Sequence, residues 1–289
     1  MFPFDRINAL EQDTKLDKVA TPLQQLVQKY VRPQGLRDVL HGVPMGHPAH
    51  PILVQAPIGA WMSAVLLDRL PGAEKSADVL IGAGVLTAFP AVLSGLVDFS
   101  DQNPEHARVG LVHAMANTTA LALFAGSLVA RATGRRRLGR GLALLGVAEV
   151  SFGGMLGGHI SFHQAGGANH VADVAHRVAP GWQPAGSFDD LPQGEAVRRM
   201  VGDVPVFVLR SGATATVLAD LCSHLSAPLS EGEITGAGAD RCVVCPWHHS
   251  TFRLSDGAVV HGPATAPQPV FDVRVRDGQL EVCLPYAVG

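Results

Sequence analysis

The chain is poor in charged residues, in aromatic residues and in cysteine. Of its 289 residues, 16% are charged and 6% are aromatic, and the mean hydropathy is +0.21. Soluble domains usually carry about 25% charged residues, so this composition argues against a protein that is soluble throughout. Four cysteines do not make a disulfide framework. A net charge of −3, with no basic stripe between aromatic residues, argues against a nucleic-acid partner.

The apolar residues are concentrated before residue 163. Four segments each approach the ~20 residues that a membrane-spanning helix needs, and all four are rich in Gly, Ala and Ser, which lets helices approach closely in lipid. They are His50–Leu67, Val79–Val97, Val109–Ala130 and Gly141–Phe162. A buried four-helix core in a soluble protein is the alternative, and four such segments in succession disfavour it. The sequence predicts a four-helix transmembrane domain at 46–163, which places the chain in a lipid bilayer, after a polar, partly amphipathic segment at 1–45.

The orientation follows from the distribution of basic residues. Positive charge favours the cytoplasmic side, and the first and third connections between spans hold most of it: Arg69, Lys75, Arg131, Arg135, Arg136, Arg137 and Arg140. The C-terminal domain is then predicted outside a bacterial inner membrane. No cleavable signal is predicted at the N-terminus. Two interpretations of the arginine run stay open, a twin-arginine export signal for a folded domain and a cytoplasmic anchor.

The C-terminal part has the pattern of a small antiparallel all-β domain at 187–289, after a linker at 164–186 that contains a short helix at Val171–Val178. Short β-rich runs alternate with Gly-containing turns such as Asp256-Gly257. The predicted strands are Pro205–Leu209, Thr216–Ala219, Arg241–Val244, Val270–Val275 and Leu280–Leu284. Histidines 170, 176 and 261 are expected to be solvated in the linker or in loops.

Two short motifs in this part carry metal-binding chemistry. They are Cys222-Ser-His224 and Cys245-Pro-Trp-His248. Two thiolates and two imidazoles suit a [2Fe-2S] cluster in which one iron has sulfur ligands and the other has nitrogen ligands. A zinc site is the alternative for such a set. The remaining two cysteines, Cys242 and Cys283, are interpreted as small buried residues.

The loops around these motifs resemble those of Rieske proteins, and a third loop, Gly262-Pro263-Ala264, adds to the resemblance. It extends from about Trp182 to Pro285. The resemblance implies a Rieske-like [2Fe-2S] domain in which Cys222 and Cys245 bind one iron. His224 and His248 would bind the other iron. His249 departs from the family pattern, in which glycine usually follows the second ligand histidine.

The resemblance also bears on the reduction potential. Ala227 and Trp247 stand where cytochrome bc-type Rieske proteins have a disulfide. Ser250 matches a serine that donates a hydrogen bond to the cluster, whereas Phe252 replaces a tyrosine that does so. With Pro263, these residues are interpreted as tuning the cluster. Fewer hydrogen bonds to sulfur predict a potential in the lower or middle part of the roughly −150 to +300 mV Rieske range.

The transmembrane part resembles a bacterial four-helix membrane family of unknown function. The resemblance rests on Leu40-His41-Gly42, Gly46-His47-Pro-Ala-His50-Pro51 and Pro57-Ile-Gly-Ala-Trp61, and it covers about Leu40 to Phe162. It implies the fold and the membrane location, and no established chemistry.

Ionisable residues in spans are costly and are functional candidates. The predicted orientation places His47, His50, His113 and His159 towards the outer face, on the side of the C-terminal domain, with Glu149 near mid-membrane. Three interpretations stay open. Two histidines, with His113 and His159 as the favoured pair, ligate a haem b; or the group binds a quinone and moves its protons; or the histidines only cap helix ends.

These features together predict a membrane-anchored electron-transfer protein that works with a quinone or haem and another redox protein. No domain with a two-His, one-carboxylate iron site is expected after the cluster domain, so the chain is interpreted as an oxidoreductase component and not a complete oxygenase. One alternative is a tethered ferredoxin-type module that supplies an oxygenase, with the membrane part only an anchor. Another is an iron–sulfur redox sensor. The oligomeric state stays open.

Overall fold

The protein is described by a computed structural model that covers residues 3–286. The chain divides into two compact units. The helical unit consists of the chain up to Leu36 together with Pro48–Gly166. The β unit consists of Arg37–His47 together with the chain from Gly167 onward. Two stretches that are far apart in sequence therefore build the β unit, whereas the sequence interpretation kept all of 1–45 in one N-terminal segment.

The helices of the described residues run in chain order through both units. They are α1 Pro3–Gln12, α2 Asp17–Tyr30, α3 Gln34–His41, α4 Ala49–Leu53, α5 Gln55–Leu67, α6 Glu74–Ser100, α7 Pro104–Ala132, α8 Arg136–Gly158 and α9 Val174–Arg177. A π-helical turn, His159–His163, continues α8.

The four predicted spans are confirmed. Within the described residues, four helical stretches are long and apolar enough to cross a membrane. They are Ala49–Leu67, Glu74–Ser100, Pro104–Ala132 and Arg136–His163, with mean hydropathies from 1.3 to 2.0. The first begins one residue earlier than predicted and ends where predicted, whereas polar residues at both ends extend the other three helices beyond the predicted apolar runs. The chain is thus a multi-domain membrane protein.

Small residues allow the transmembrane helices to pack around aromatic side chains. Trp61 of α5 stacks on Phe124 of α7, with ring centroids 4.2 Å apart. A Cβ atom at Gly84 would lie 2.3 Å from Trp61 Nε1, and one at Gly146 would lie 2.9 Å from Phe124. Larger residues at these two positions would push the ring pair out of the core.

A buried ion-pair network closes one end of the helical unit, where α5 meets α6 and α7 meets α8. Arg131 is 1% exposed and pairs with Asp68, which is 5% exposed. Arg131 also lies 3.0 Å from Asp78, which in turn pairs with Arg136. Arg140 lies 3.5 Å from Asp68. Part of the arginine run therefore neutralises buried carboxylates.

The amphipathic helix α2 covers the opposite end of α6. Gln24 donates side-chain hydrogen bonds to the carbonyls of Phe99 and Gln102, at 2.9 and 3.1 Å. Gln28 donates to the carbonyl of Ser100 at 2.8 Å. The last carbonyls of a helix have no intrahelical partner, so these amides satisfy the C-terminus of α6. The N-terminal segment thereby becomes part of the helical unit.

The β unit contains two antiparallel sheets. Its strands are β1 Gln183–Ser187, β2 Ala196–Val201, β3 Val204–Ser211, β4 Thr214–Ala219, β5 Glu233–Thr235, β6 Cys242–Val244, β7 Thr251–Arg253, β8 Val259–His261, β9 Val270–Arg276 and β10 Gln279–Cys283. The larger sheet has the order β1-β10-β9-β4-β3-β2, and the smaller one the order β5-β6-β7-β8. The predicted small antiparallel all-β domain is confirmed.

Strand β3 is buried on both faces, because successive side chains of a strand point to opposite sides. Val206 and Val208 belong to one core of the β unit. Phe207 and Leu209 belong to the other core, which also contains Cys222 and Cys245. One face of the sheet therefore packs against the loops that carry the two motifs and supports them.

The segment before β1 also packs into the β unit. Val171, Val174 and Val178 are each no more than 4% exposed and join the core that contains Val206. The short helix predicted inside the linker is present as α9. Val174 lies in α9, Val171 and Val178 flank it, and all three pack against the large sheet.

Candidate metal centre

The two motifs lie in two loops with the same backbone hydrogen-bond pattern. The first ligand loop (residues 220–228) follows β4, and the second (residues 245–250) joins β6 to β7. In each loop the cysteine N–H donates to the carbonyl five residues later, Cys222 to Ala227 and Cys245 to Ser250, both at 2.8 Å. The two cysteine side chains are thus presented by equivalent turns.

The fourth residue after each cysteine closes its loop in the left-handed conformation. Ser226 and His249 both have φ of 62°. Their N–H groups donate back to the carbonyls of Cys222 and Cys245, at 2.9 and 3.2 Å. A side chain in this region costs roughly 1–2 kcal/mol, and glycine avoids that cost. This explains why glycine suits the position of His249, and why histidine there leaves the loop intact at some cost in stability.

The sulfur atoms of the two cysteines face each other in the buried part of the site. Cys222 is fully buried and Cys245 is 1% exposed. A hydrogen bond from the Cys222 thiol is the main reason that the pKa of Cys245 is lowered to about 7, and the N–H groups of Trp247 and His248 lower it further, against burial. Donation of that bond, together with burial, raises the pKa of Cys222. Backbone N–H groups aimed at sulfur suit a thiolate that binds metal.

The imidazole rings of His224 and His248 lie at the outer part of the site. Their centroids are 5.1 Å apart and the ring planes are nearly perpendicular, at 89°. Both side chains are half-buried. Trp247, 48% exposed, lies edge-on to His248. The site therefore has a dry sulfur side and a nitrogen side that a partner can reach.

A third loop (residues 262–268) is tied to both ligand loops. Ser250 Oγ, fully buried, accepts the N–H of Ala264 at 2.9 Å, which leaves its hydroxyl proton to donate elsewhere. Ser223 Oγ donates to the carbonyl of Ala266 at 2.7 Å. Gln268 donates to the carbonyl of Leu221 at 3.1 Å. The loop, which contains the buried Pro263, closes the third side of the site.

The stretch Arg37–His47 packs against the start of this third loop. The sequence did not indicate this contact. Asp38 accepts the N–H of Gly262 at 3.0 Å through one oxygen and pairs with His261 Nδ1 at 2.9 Å through the other. His41, 2% exposed, packs so closely that a Cβ atom at Gly262 would lie 3.2 Å from its ring. His261 thus lies at the end of β8 and shares a hydrogen bond with Asp38, whereas the sequence interpretation had it solvated in the linker or in a loop.

Replacing Asp38 with alanine is expected to destabilise the β unit by about 1–3 kcal/mol, because the buried N–H of Gly262 loses its acceptor. The measurement is the midpoint of thermal loss of the visible absorption of the site, at one heating rate. Asp256→Ala is the matched control, since Asp256 accepts the N–H of Ala258 at an exposed turn. An Asp38→Ala midpoint equal to that of the control would contradict a supporting role for Asp38.

Comparison with known proteins agrees with this geometry. Residues 181–272 match the family described as Rieske [2Fe-2S] domain. The anthranilate 1,2-dioxygenase ferredoxin subunit of Burkholderia cepacia is 39% identical over 101 residues, which are 35% of this chain and 90% of that protein. The chain belongs to the Rieske [2Fe-2S] family. Its C-terminal part is a Rieske electron-transfer domain homologous to oxygenase ferredoxin subunits, and a [2Fe-2S] cluster is the cofactor of this domain.

Other relatives cover the same part of the chain. The 3-phenylpropionate/cinnamic acid dioxygenase ferredoxin subunit of Escherichia coli K12 is 36% identical over 99 residues, which are 34% of this chain and 89% of that protein. The solved ferredoxin of carbazole 1,9a-dioxygenase from Nocardioides aromaticivorans IC177 is 27% identical, with a TM-score of 0.32, and covers 35% of this chain and 94% of that one.

A second family matches the transmembrane part. Residues 46–170 match the family described as Predicted membrane protein (DUF2231). The fusion of this membrane family with a Rieske domain, expected from the two resemblances, is confirmed.

The structure sorts the membrane histidines into separate groups. His50 and His113 come together in the helical unit, with ring centroids 6.1 Å apart. His159 instead bonds Glu11 at 2.6 Å, so it is engaged elsewhere than with His113, the partner that the sequence favoured. His47 lies exposed in the β unit, and Glu149 is half-buried on α8. The position of each histidine along its helix was readable from the sequence, whereas the direction in which each helix points its side chains was not.

Proposed function

We propose that this protein is a membrane-anchored electron carrier in which Cys222, His224, Cys245 and His248 hold the [2Fe-2S] cluster. The observation that carries this is the pairing of two buried sulfurs with two accessible imidazoles on a rigid sheet. The residues fit the cluster, because two thiolates and two imidazoles converge from equivalent loops. The cluster supplies one-electron storage. Imidazole edges at the surface shorten the path to a partner, and they can pass a proton with the electron.

The other end of the electron path, in this proposal, is the pair His50 and His113. Each ring places Nδ1 2.8–2.9 Å from a backbone carbonyl, Ala91 for His50 and Gly153 for His113. A carbonyl only accepts, so Nδ1 carries the proton and Nε2 keeps its lone pair in the neutral ring. Ligand histidines of metals commonly have this arrangement. The pair is thus prepared to bind a haem iron or to hydrogen-bond a quinone.

Close glycines make the space for these rings. A Cβ atom at Gly95 would lie 2.8 Å from the His50 ring, and one at Gly157 would lie 3.1 Å from the His113 ring. Asn117 lies 3.2 Å from His113 Nε2 and so adds a polar group to the same place. Polar side chains held by backbone groups inside a span are typical of functional sites.

The absorption spectrum of the protein purified from membranes in detergent tests the haem. We expect Soret and α bands upon reduction, in addition to the cluster spectrum, and we expect both His50→Leu and His113→Leu to abolish them. His176→Leu, at an exposed helix position in the β unit, is the control and should keep them.

Absence of the bands from cells supplied with haem would exclude haem and leave the quinone. In that case cluster reduction by an added quinol should slow at least about 10-fold in either leucine variant, since a second-sphere loss costs 10–100-fold in comparable sites. If the quinol reduces the cluster at the same rate in the wild type and in both leucine variants, the membrane part acts only as an anchor.

We further propose that the protein lies in a bacterial inner membrane with its Rieske domain outside the cytoplasm. Arg69 and Lys75 in the first connection and the arginines at 131–140 support this orientation. An alkaline phosphatase fusion at the C-terminus should be active. An inactive phosphatase fusion, with an active cytoplasmic reporter at the same site, would reverse the orientation.

A second candidate function follows from the relatives, which are ferredoxin subunits of dioxygenases. In this candidate, the Rieske domain supplies electrons to an oxygenase and the helical unit only anchors it. The reversed orientation would favour it, and so would reduction of an oxygenase by the purified protein without any quinol.

A further inference from the structure

Three ligand-type side chains that do not belong to the cluster motifs meet in the helical unit. Glu11 comes from α1, and His159 and His163 come from the π-helical turn at the end of the fourth span. Glu11 Oε1 lies 2.6 Å from His159 Nε2 and 3.9 Å from His163 Nε2. One ligand atom from each residue lies within 4.8 Å of the other two.

The π-helical turn is what brings the two histidines together. Gln164 N–H donates to the carbonyl of His159, five residues earlier, at 3.1 Å. This wider turn places His163 over His159, with ring centroids 4.5 Å apart and planes 27° from parallel. The turn closes the C-terminal end of the fourth span, where i→i+5 hydrogen bonds are common.

Glu11 is held in place by contacts that do not involve the histidines. Arg108 donates to the carbonyl of Glu11 at 2.6 Å and forms a two-pronged ion pair with Asp17, at 2.8 and 2.9 Å. One turn earlier on the same face of α1, Ile7 is 4% exposed and packs with Leu156 in a small core. The backbone of Glu11 is therefore held in place before an ion binds, which lowers the entropy cost of binding.

We propose that Glu11, His159 and His163 form a binding site for a divalent transition-metal ion. Two imidazoles and one carboxylate are the ligands of three-residue zinc and non-haem iron sites, which keep further positions open. The His159 side chain is 3% exposed, whereas that of His163 is 57% exposed. The first thus provides a fixed ligand, and the second can turn to complete the set while the ion stays open to water on one side.

A hydrogen bond between Glu11 and His159 alone would tie α1 to the fourth span without a second histidine stacked on the first. The site is independent of the proposed electron path, since none of its three residues belongs to the cluster motifs or to the pair His50 and His113.

The experiment is Zn²⁺ binding by tag-free, full-length protein in detergent, measured by equilibrium dialysis with the cluster spectrum recorded before and after. We expect one Zn²⁺ bound saturably per chain. Glu11→Gln and His163→Gln should each weaken binding at least about 100-fold, the upper range for loss of a supporting group at metal sites. His176→Gln, which removes an exposed histidine on α9, should leave binding unchanged.

Glu11→Gln keeps the shape of the side chain, and His163 is largely exposed, so both variants should keep the far-ultraviolet circular dichroism of the wild type. No saturable binding by wild-type protein would overturn the proposal. Equal affinities for the wild type and for Glu11→Gln or His163→Gln would overturn it as well. Glu11 and His159 would then only form a hydrogen bond between two helices.

Discussion

Replacing His224 and His248 together by cysteine is expected to lower the reduction potential by at least about 250 mV. Rieske centres lie at about −150 to +300 mV, whereas [2Fe-2S] clusters with four cysteine ligands lie near −400 mV. Two thiolates replace two neutral imidazoles, and the added negative charge disfavours the addition of an electron to the cluster. Since 59 mV is tenfold in a one-electron equilibrium, reduction becomes less favourable by more than about 10⁴-fold.

The measurement is a redox titration followed by electron paramagnetic resonance, which reports the reduced cluster directly. His249→Asn is the matched control, because this residue follows His248 in the same loop and asparagine tolerates its positive φ. Its potential should stay near that of the wild type. A double cysteine variant with a wild-type potential would mean that His224 and His248 do not bind iron.

Replacing Arg131 with methionine is expected to destabilise the helical unit by about 3–5 kcal/mol. Arg131 and Asp68 are almost fully buried together, and removing Arg131 leaves the buried Asp68 with only the longer pairs to Arg140 at 3.5 Å and Arg136 at 3.9 Å. Arg131 Nε also donates a hydrogen bond to Ser127 Oγ at 3.0 Å. The loss would be measured as a lower midpoint of unfolding in detergent mixtures with increasing sodium dodecyl sulfate, followed by circular dichroism.

Two further variants separate the buried charge from the loss of packing. Asp68→Asn combined with Arg131→Met removes both charges and should recover much of the stability. Arg136→Met breaks a pair in which both side chains are about 30% exposed, and should cost under about 1 kcal/mol. If Arg131→Met behaves like Arg136→Met, the network is not what holds this end of the helices.

The sequence predicted those features whose determinants are local. Each transmembrane helix is a continuous apolar run, and each ligand pair lies within three residues, as in Cys222-Ser-His224. Strands with strong β-formers, such as β3 and β4, were found with boundaries within two residues. Strand β2, Ala196–Val201, was also missed, and the other missed strands have weak local signals. Strand β1 reads Gln-Pro-Ala-Gly-Ser, and β5, β7 and β8 have three residues each.

Contacts between distant residues were not predictable in this way. Asp38 meets Gly262 across 224 positions, and Glu11 meets His159 across 148. Neither aspartate nor glutamate carries a local pattern that names its partner. The pairing of His50 with His113 depends on the rotation of α7 about its axis, which the small residues of the neighbouring helices decide. An apolar run fixes a helix in depth and leaves that rotation undetermined.

The division of the β unit into two stretches has a consequence for biosynthesis. Arg37–His47 is made before the first transmembrane helix, and the chain from Gly167 onward is made after the fourth. The two stretches can meet only if an even number of helices crosses the membrane between them. Until then the N–H of Gly262 lacks the carboxylate of Asp38. The segment that completes the Rieske domain is therefore synthesised before every membrane helix, and the domain closes only after the last of them has been inserted.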